Sequence, residues 1–207
     1  MMEKKYKLTE ETINVDGRTL YRIEALKDFD VVEKGDKGGF IENESNLSQS
    51  GDCWVYGNAK VYDNAQVHDN AEVRDNARIY GNAKVRGNAM VYGDARIYDN
   101  AKVWMDAKVC GKAKIFDNVR IFDNAKVYGD AVVYGNAMIY GNAEIFDNAE
   151  VYGNAMIYGN AEVYEYAKVC GNAEVYGYTR IYDNATVYGN AEIYGDREVH
   201  GNEKVGE

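Results

Sequence analysis

From Val55 to Val205 every sixth residue is valine or isoleucine, without exception. A repeat of this kind constrains the fold more than any local feature, because it dictates which residues share a side of the chain. Each unit reads aliphatic, aromatic, Gly or Asp, Asn, Ala, and then a long polar residue. Val55-Tyr56-Gly57-Asn58-Ala59-Lys60 and Ile139-Tyr140-Gly141-Asn142-Ala143-Glu144 are typical. An α-helix cannot use this pattern. Six residues turn a helix by about 600°, so successive aliphatics would drift around its axis, and Asn and Gly at this density would weaken it. A short strand followed by a turn fits: the aliphatic points inward and its two neighbours point outward. Gly or Asp and then Asn form a corner, where Asn is expected to take the left-handed backbone that a tight bend requires. Ala then points inward, where the corner leaves little room.

Composition agrees. The 207 residues include 19 Tyr, 21 Gly and no Pro, which suits β-structure with many tight turns and an unbroken ladder. A net charge of −10 argues against a dedicated binder of the DNA backbone, which needs clustered cations. It leaves room for a protein that imitates an acidic surface. Apolar runs fall far short of the roughly 20 residues of a membrane helix, and the opening MMEKKYKLTEET has no signal-peptide core. Cys53, Cys110 and Cys170 form an odd set without CxxC spacing, so the cytoplasm is the expected compartment.

An aliphatic at the first position, Asn at the fourth and a small residue at the fifth resemble the hexapeptide repeat of left-handed parallel β-helix proteins, whose best-known members are acyltransferases. The resemblance covers about three-quarters of the chain. It implies an all-β triangular prism in which three units make one coil and residues 18 apart stack. The family usually has a small residue at the second position, whereas this chain has mostly Tyr or Phe. Roughly nine coils at about 4.8 Å each would make a prism on the order of 40 Å long. Backbone bonds between coils would leave only the two ends open.

Residues 1–40 lack the repeat and are expected to form a β-hairpin cap, with the β-helix occupying 41–207. Lys7 to Val15 and Arg18 to Leu26 flank Asp16-Gly17, a hairpin turn signal. The hairpin either caps the first coil or serves as an attachment domain. Val31 to Phe40 reads as a loop, and Ile41, Leu47 and Cys53 fall in the phase of the inward Ala. This leader also resembles, more loosely, the N-terminal part of uncharacterised bacterial and phage hexapeptide-repeat proteins. At the other end Arg197 and Glu203 replace the inward Ala. Charge there cannot be buried cheaply and would deter stacking onto the open edge.

The resemblance makes acyl transfer the first function to weigh. Such enzymes use a His general base near a protruding loop and bind an acyl donor between subunits. Here His68 and His200 lie on different faces, and no insertion interrupts the repeat to build a pocket. The zinc-binding relatives use three His, and the sequence has two. No catalytic residue, cofactor or metal site is therefore expected, and the chain reads as a non-enzyme.

What the prism displays then carries the function. Spacing by 18 puts Tyr62, Tyr80, Tyr98, Phe116, Tyr134 and Tyr152 in one outward column. Trp104, Phe122, Tyr140, Tyr158, Tyr176 and Tyr194 form a second, beside Met138 and Met156, and the third is more mixed. Aromatic pairs on adjacent strands contribute about 0.2–1 kcal/mol each, so the columns serve at least as zippers. A zipper gives no reason for methionine among the rings. Phe122, Met138, Tyr140, Met156, Tyr158 and Tyr176 are accordingly the expected interface, with another copy as the expected partner. The resemblance favours a parallel trimer. Position six, mainly basic through Lys126 and mainly acidic after it, favours antiparallel association instead. The leading function is a structural or binding rod that contacts its own kind, another protein or a glycan. A phage-type inhibitor with an acidic, nucleic-acid-like surface and an acyltransferase relative are the alternatives. Ice binding lacks its Thr arrays.

Overall fold

A computed structural model describes residues 3–206. The chain is a parallel β-solenoid of about nine turns built on three sheets. Strands two residues long hold the sixth position of one unit and the aliphatic of the next, as in Lys60–Val61 and Gln66–Val67. Each pairs in parallel with the strand one coil away: Lys60 lies beside Arg78 and Val61 beside Ile79, an offset of 18 residues. Eight strands from Gln66–Val67 to Glu192–Ile193 make one sheet, and nine from Trp54–Val55 to Glu198–Val199 make the second. The third has twelve, because the N-terminal strands extend it.

The core follows from the repeat. The aliphatics from Val55 to Val199 and the alanines between them are buried in one continuous cluster running the length of the rod. Thr179 takes one Ala position and satisfies its hydroxyl locally by donating to the Tyr176 carbonyl, 2.7 Å away.

The corners correct one expectation. The left-handed residue is the third of each unit, not the Asn after it: Asp63, Asp69, Asp75 and their equivalents have φ near +60°, alternating with Gly. At Gly153, φ is +75° and an added Cβ would lie 2.8 Å from the Gly171 carbonyl oxygen, so the turn there excludes larger residues. Most of the Asp residues there reach the next coil and accept from a backbone N–H, as Asp63 does from Gly81 at 3.1 Å. The Asn side chains instead form ladders. On one corner Asn64, Asn82, Asn100, Asn118, Asn136, Asn154, Asn172 and Asn190 are joined amide to amide in an unbroken series.

The N-terminal strands are β1 (Tyr6–Val15), β2 (Arg18–Ala25) and β3 (Lys37–Ile41). The first two form the expected hairpin, turning at Asp16 and Gly17, both at positive φ. β3 falls within the segment read as a loop. It pairs antiparallel with β2 and parallel with Lys60–Val61, so the hairpin is continuous with the solenoid sheet. Ile41 and Leu47 are also out of their expected phase: they sit beside Val61 and Val67, in the aliphatic rows, 20 residues away. The corner from Ser48 to Asp52 carries two extra residues, and Cys53 beyond it returns to the Ala phase, buried.

Carbonyl oxygens of the first coil point toward the N-terminal end, and the cap meets them with donors. The Asn46 amide donates to Asp63 and Ala65, Arg22 donates to Gly38 and Gly57, and the Lys5 ammonium donates to Gly51 and Cys53 at 3.0 and 2.8 Å. Lys5 is almost fully enclosed and lies 3.4 Å from the Cys53 sulfur. Burial holds its pKa below the ordinary lysine value, opposed by the attraction of Cys53. At the other end Arg197 and Glu203 remain half-exposed and pair with each other at 3.2 Å. No helix among the described residues is long and apolar enough to cross a membrane.

Candidate interaction surface

The three outward columns are stacks of rings. Each position-two side chain stands beside the inward aliphatic of its own strand, so parallel pairing at 18 residues sets equivalent rings one strand apart. Tyr62 to Tyr152 stack with centroids 4.9–5.2 Å apart and planes within 8°. Tyr128, Phe146, Tyr164 and Tyr182 form a second stack, which His200 ends at 5.3 Å. On the eight-stranded sheet Trp104, Phe122, Tyr140, Tyr158, Tyr176 and Tyr194 continue without a gap, at 4.7–5.6 Å.

All six residues expected at an interface lie on this last sheet. Met138 and Met156 are register partners on adjacent strands, and Phe122, Tyr140, Tyr158 and Tyr176 run beside them. Every one of the six is half-buried, because ring covers ring along the column. The large apolar residues that stand most exposed are others, among them Met105 at 48%, Tyr166 at 60%, Tyr178 at 67% and Tyr194 at 61%. Tyr166 and Tyr178 each occupy a corner position that is usually Asn, and Met105 takes a left-handed position that is usually Gly or Asp. Those departures from the repeat are visible in the sequence and mark places where corner chemistry gives way to apolar surface.

Charge is distributed differently on the three sheets. On the nine-stranded sheet opposite charges meet in register: Lys126 pairs with Glu144 at 2.7 Å, and Arg180 lies between Glu162 and Glu198 at 3.6 and 3.3 Å. Glu144 also accepts from Tyr128, which together with burial pushes that phenol well above its ordinary value. The eight-stranded sheet stacks like on like. Lys84, Lys102 and Arg120 are successive register partners, followed by Met138 and Met156 and then Glu174 and Glu192. Among the described residues none of these five charged groups has an ion-pair partner. Glu192 accepts instead from the Tyr176 hydroxyl at 2.5 Å, which raises that phenol to about 12.

The polar depressions follow the corners and the cap. One of about 420 Å³ is lined by Asp30, Asp52, Asn70, Glu72, Asn88, Met90, Asp106 and Lys108, and another of about 530 Å³ lies beside Lys5, Phe29 and Gln49. Neither holds His68 or His200, which stand on different sheets. The cysteines are free thiols. Interaction with the Cys110 thiol raises the Tyr92 phenol to about 12, and interaction with the Cys170 thiol does the same for Tyr152, with burial as the second cause. No group of three or more His, Cys, Asp or Glu among the described residues is arranged to hold a metal ion.

Comparison with known families finds that a family model described as the YdcK Beta solenoid repeat matches residues 179–195, about one coil. No curated protein matches the chain.

Proposed function

We propose that this chain is a non-catalytic rod, wound left-handed as the hexapeptide resemblance implies, that acts through contact between the outer face of its eight-stranded sheet and a second copy of itself. The observation that carries the reading is the pair Met138 and Met156, set side by side next to a continuous ring column on a sheet that no other part of the described chain covers. Stacking accounts for the rings but not for methionine beside them, and contiguous apolar surface flanked by charge is characteristic of protein interfaces. The rigid backbone ladder suits a scaffold. Each coil is held by its neighbours, so the face keeps its shape without a ligand.

The test is solution mass. The unmodified chain is expected to sediment as an oligomer in the micromolar range, and Tyr140→Glu with Met156→Glu is expected to sediment as a single chain while keeping its far-UV circular dichroism. A double variant with unchanged mass, or an unmodified chain that stays single at all concentrations, would remove the face from consideration.

A further inference from the structure

Resting on that self-association, we propose that two copies meet antiparallel, related by a two-fold axis that lies in the interface along the strand direction and passes between Met138 and Met156. The eight-stranded sheet is self-complementary about that line. Its position-six column reads Lys102, Arg120, Met138, Met156, Glu174, Glu192. Reversed against itself, Met138 meets the partner's Met156, Arg120 meets the partner's Glu174, and Lys102 meets the partner's Glu192.

The same operation reverses the ring column. Tyr140 then faces the partner's Tyr158, Phe122 faces the partner's Tyr176, and Trp104 faces the partner's Tyr194. This covers Tyr194, among the most exposed rings of the chain, with the indole beside exposed Met105.

Two features of the charge select this arrangement. Like charges in register on adjacent strands repel, so a column of three cations followed by two carboxylates is unfavourable within one chain and is relieved by opposite charges from outside. Any parallel assembly, whatever its number, brings Lys102 to the height of Lys102 and Glu174 to the height of Glu174, and adds to the repulsion. The other two sheets offer less. The twelve-stranded sheet follows Lys60, Arg78, Arg96 and Lys114 with Val132, Glu150, Lys168, Thr186 and Lys204, one acid among two further cations. The nine-stranded sheet has the charge order Lys108, Lys126, Glu144, Glu162, but there Lys126 and Glu144 already pair with each other, and Glu162 with Arg180, within the chain. Six strands about 4.8 Å apart give a contact on the order of 500 Å² per copy, the small end for a specific pair. The dimer is therefore expected to dissociate in the micromolar range and to weaken in salt, as exposed ion pairs do.

Charge reversal tests the register. Sedimentation at low salt is expected to show Arg120→Glu alone, and Glu174→Arg alone, raising the dissociation constant by about tenfold or more, since each sets like charges face to face. Arg120→Glu combined with Glu174→Arg is expected to restore association to near the original strength. Because Arg120→Glu relieves a like-charge stack within its own chain, weakening cannot be put down to a damaged coil, and circular dichroism verifies this. If the unmodified chain forms a dimer that single reversals leave alone, or that the double reversal does not rescue, the antiparallel register is wrong and self-association stands. If the unmodified chain is single throughout, both fall together.

Discussion

Replacing Ala143 with glutamate is expected to unfold the middle of the solenoid, while replacing Arg197 with alanine leaves it intact. Both positions lie in one inward column, which runs from Cys53 through alanines to Thr179 and Arg197. At 143 the side chain is fully enclosed among alanines and aliphatics, with no cation in reach. An unpaired carboxylate there costs about 3–5 kcal/mol, and its volume adds about 1–3 kcal/mol of overpacking. Against a typical total of roughly 5–15 kcal/mol this is most of the stability. Arg197 occupies the last coil, half-exposed and paired with Glu203, so its loss should cost under about 1 kcal/mol. Denaturant titration followed by circular dichroism separates the two. A wild-type transition for Ala143→Glu would mean that the column is not closed.

A second large effect is expected at high pH. The ring columns hold many phenols above their ordinary range, chiefly through burial, with Tyr62 pushed up to about 12. Tyr92 and Tyr152 reach about 12 mainly through interaction with Cys110 and Cys170. For an acid whose folded pKa exceeds its unfolded value near 10, the stabilisation is complete below pH 10 and is lost as pH rises through the folded value. Each ionisation also sets a negative charge about one strand from the next ring, so the losses reinforce each other. Lys5, held low by burial, works in the opposite sense and is a single group. Most of the tyrosinate absorbance should therefore appear above pH 10, rising steeply toward 12 together with loss of the β signal. A gradual titration centred near 10 with the far-UV spectrum unchanged would show rings open to solvent.

The repeat made most of this architecture legible before any coordinates, because one period fixed both the inward rows and the 18-residue stacking of the outward ones. The successive blocks of cation, methionine and carboxylate on the eight-stranded sheet are readable by the same spacing. What escaped lay where the period fails. By the period alone Ile41 and Leu47 fall in the Ala rows, and the two extra residues between Ser48 and Trp54 that shift them bear no signal, because they precede the regular repeat that begins at Val55. The left-handed backbone was expected at Asn, which tolerates it, yet the third residue takes it and frees the Asn side chains for the corner ladder. Lys5 looks like any surface lysine. Its burial depends on carbonyls of the first coil that only the folded cap brings within reach. Tyr166 and Tyr178 could have been singled out as breaks in the Asn corner, and their exposure makes them the clearest apolar features missed.

Oxidation of methionine by dilute peroxide, mapped by residue over a range of protein concentration, bears most directly on whether the eight-stranded sheet is covered in solution. Met90 supplies the control, since it holds the same place in the repeat on the nine-stranded sheet and is similarly half-buried. Met138 and Met156 should become progressively protected as concentration rises, while Met90 keeps a constant rate. Three methionines oxidising alike at every concentration would contradict a second copy seated on that face.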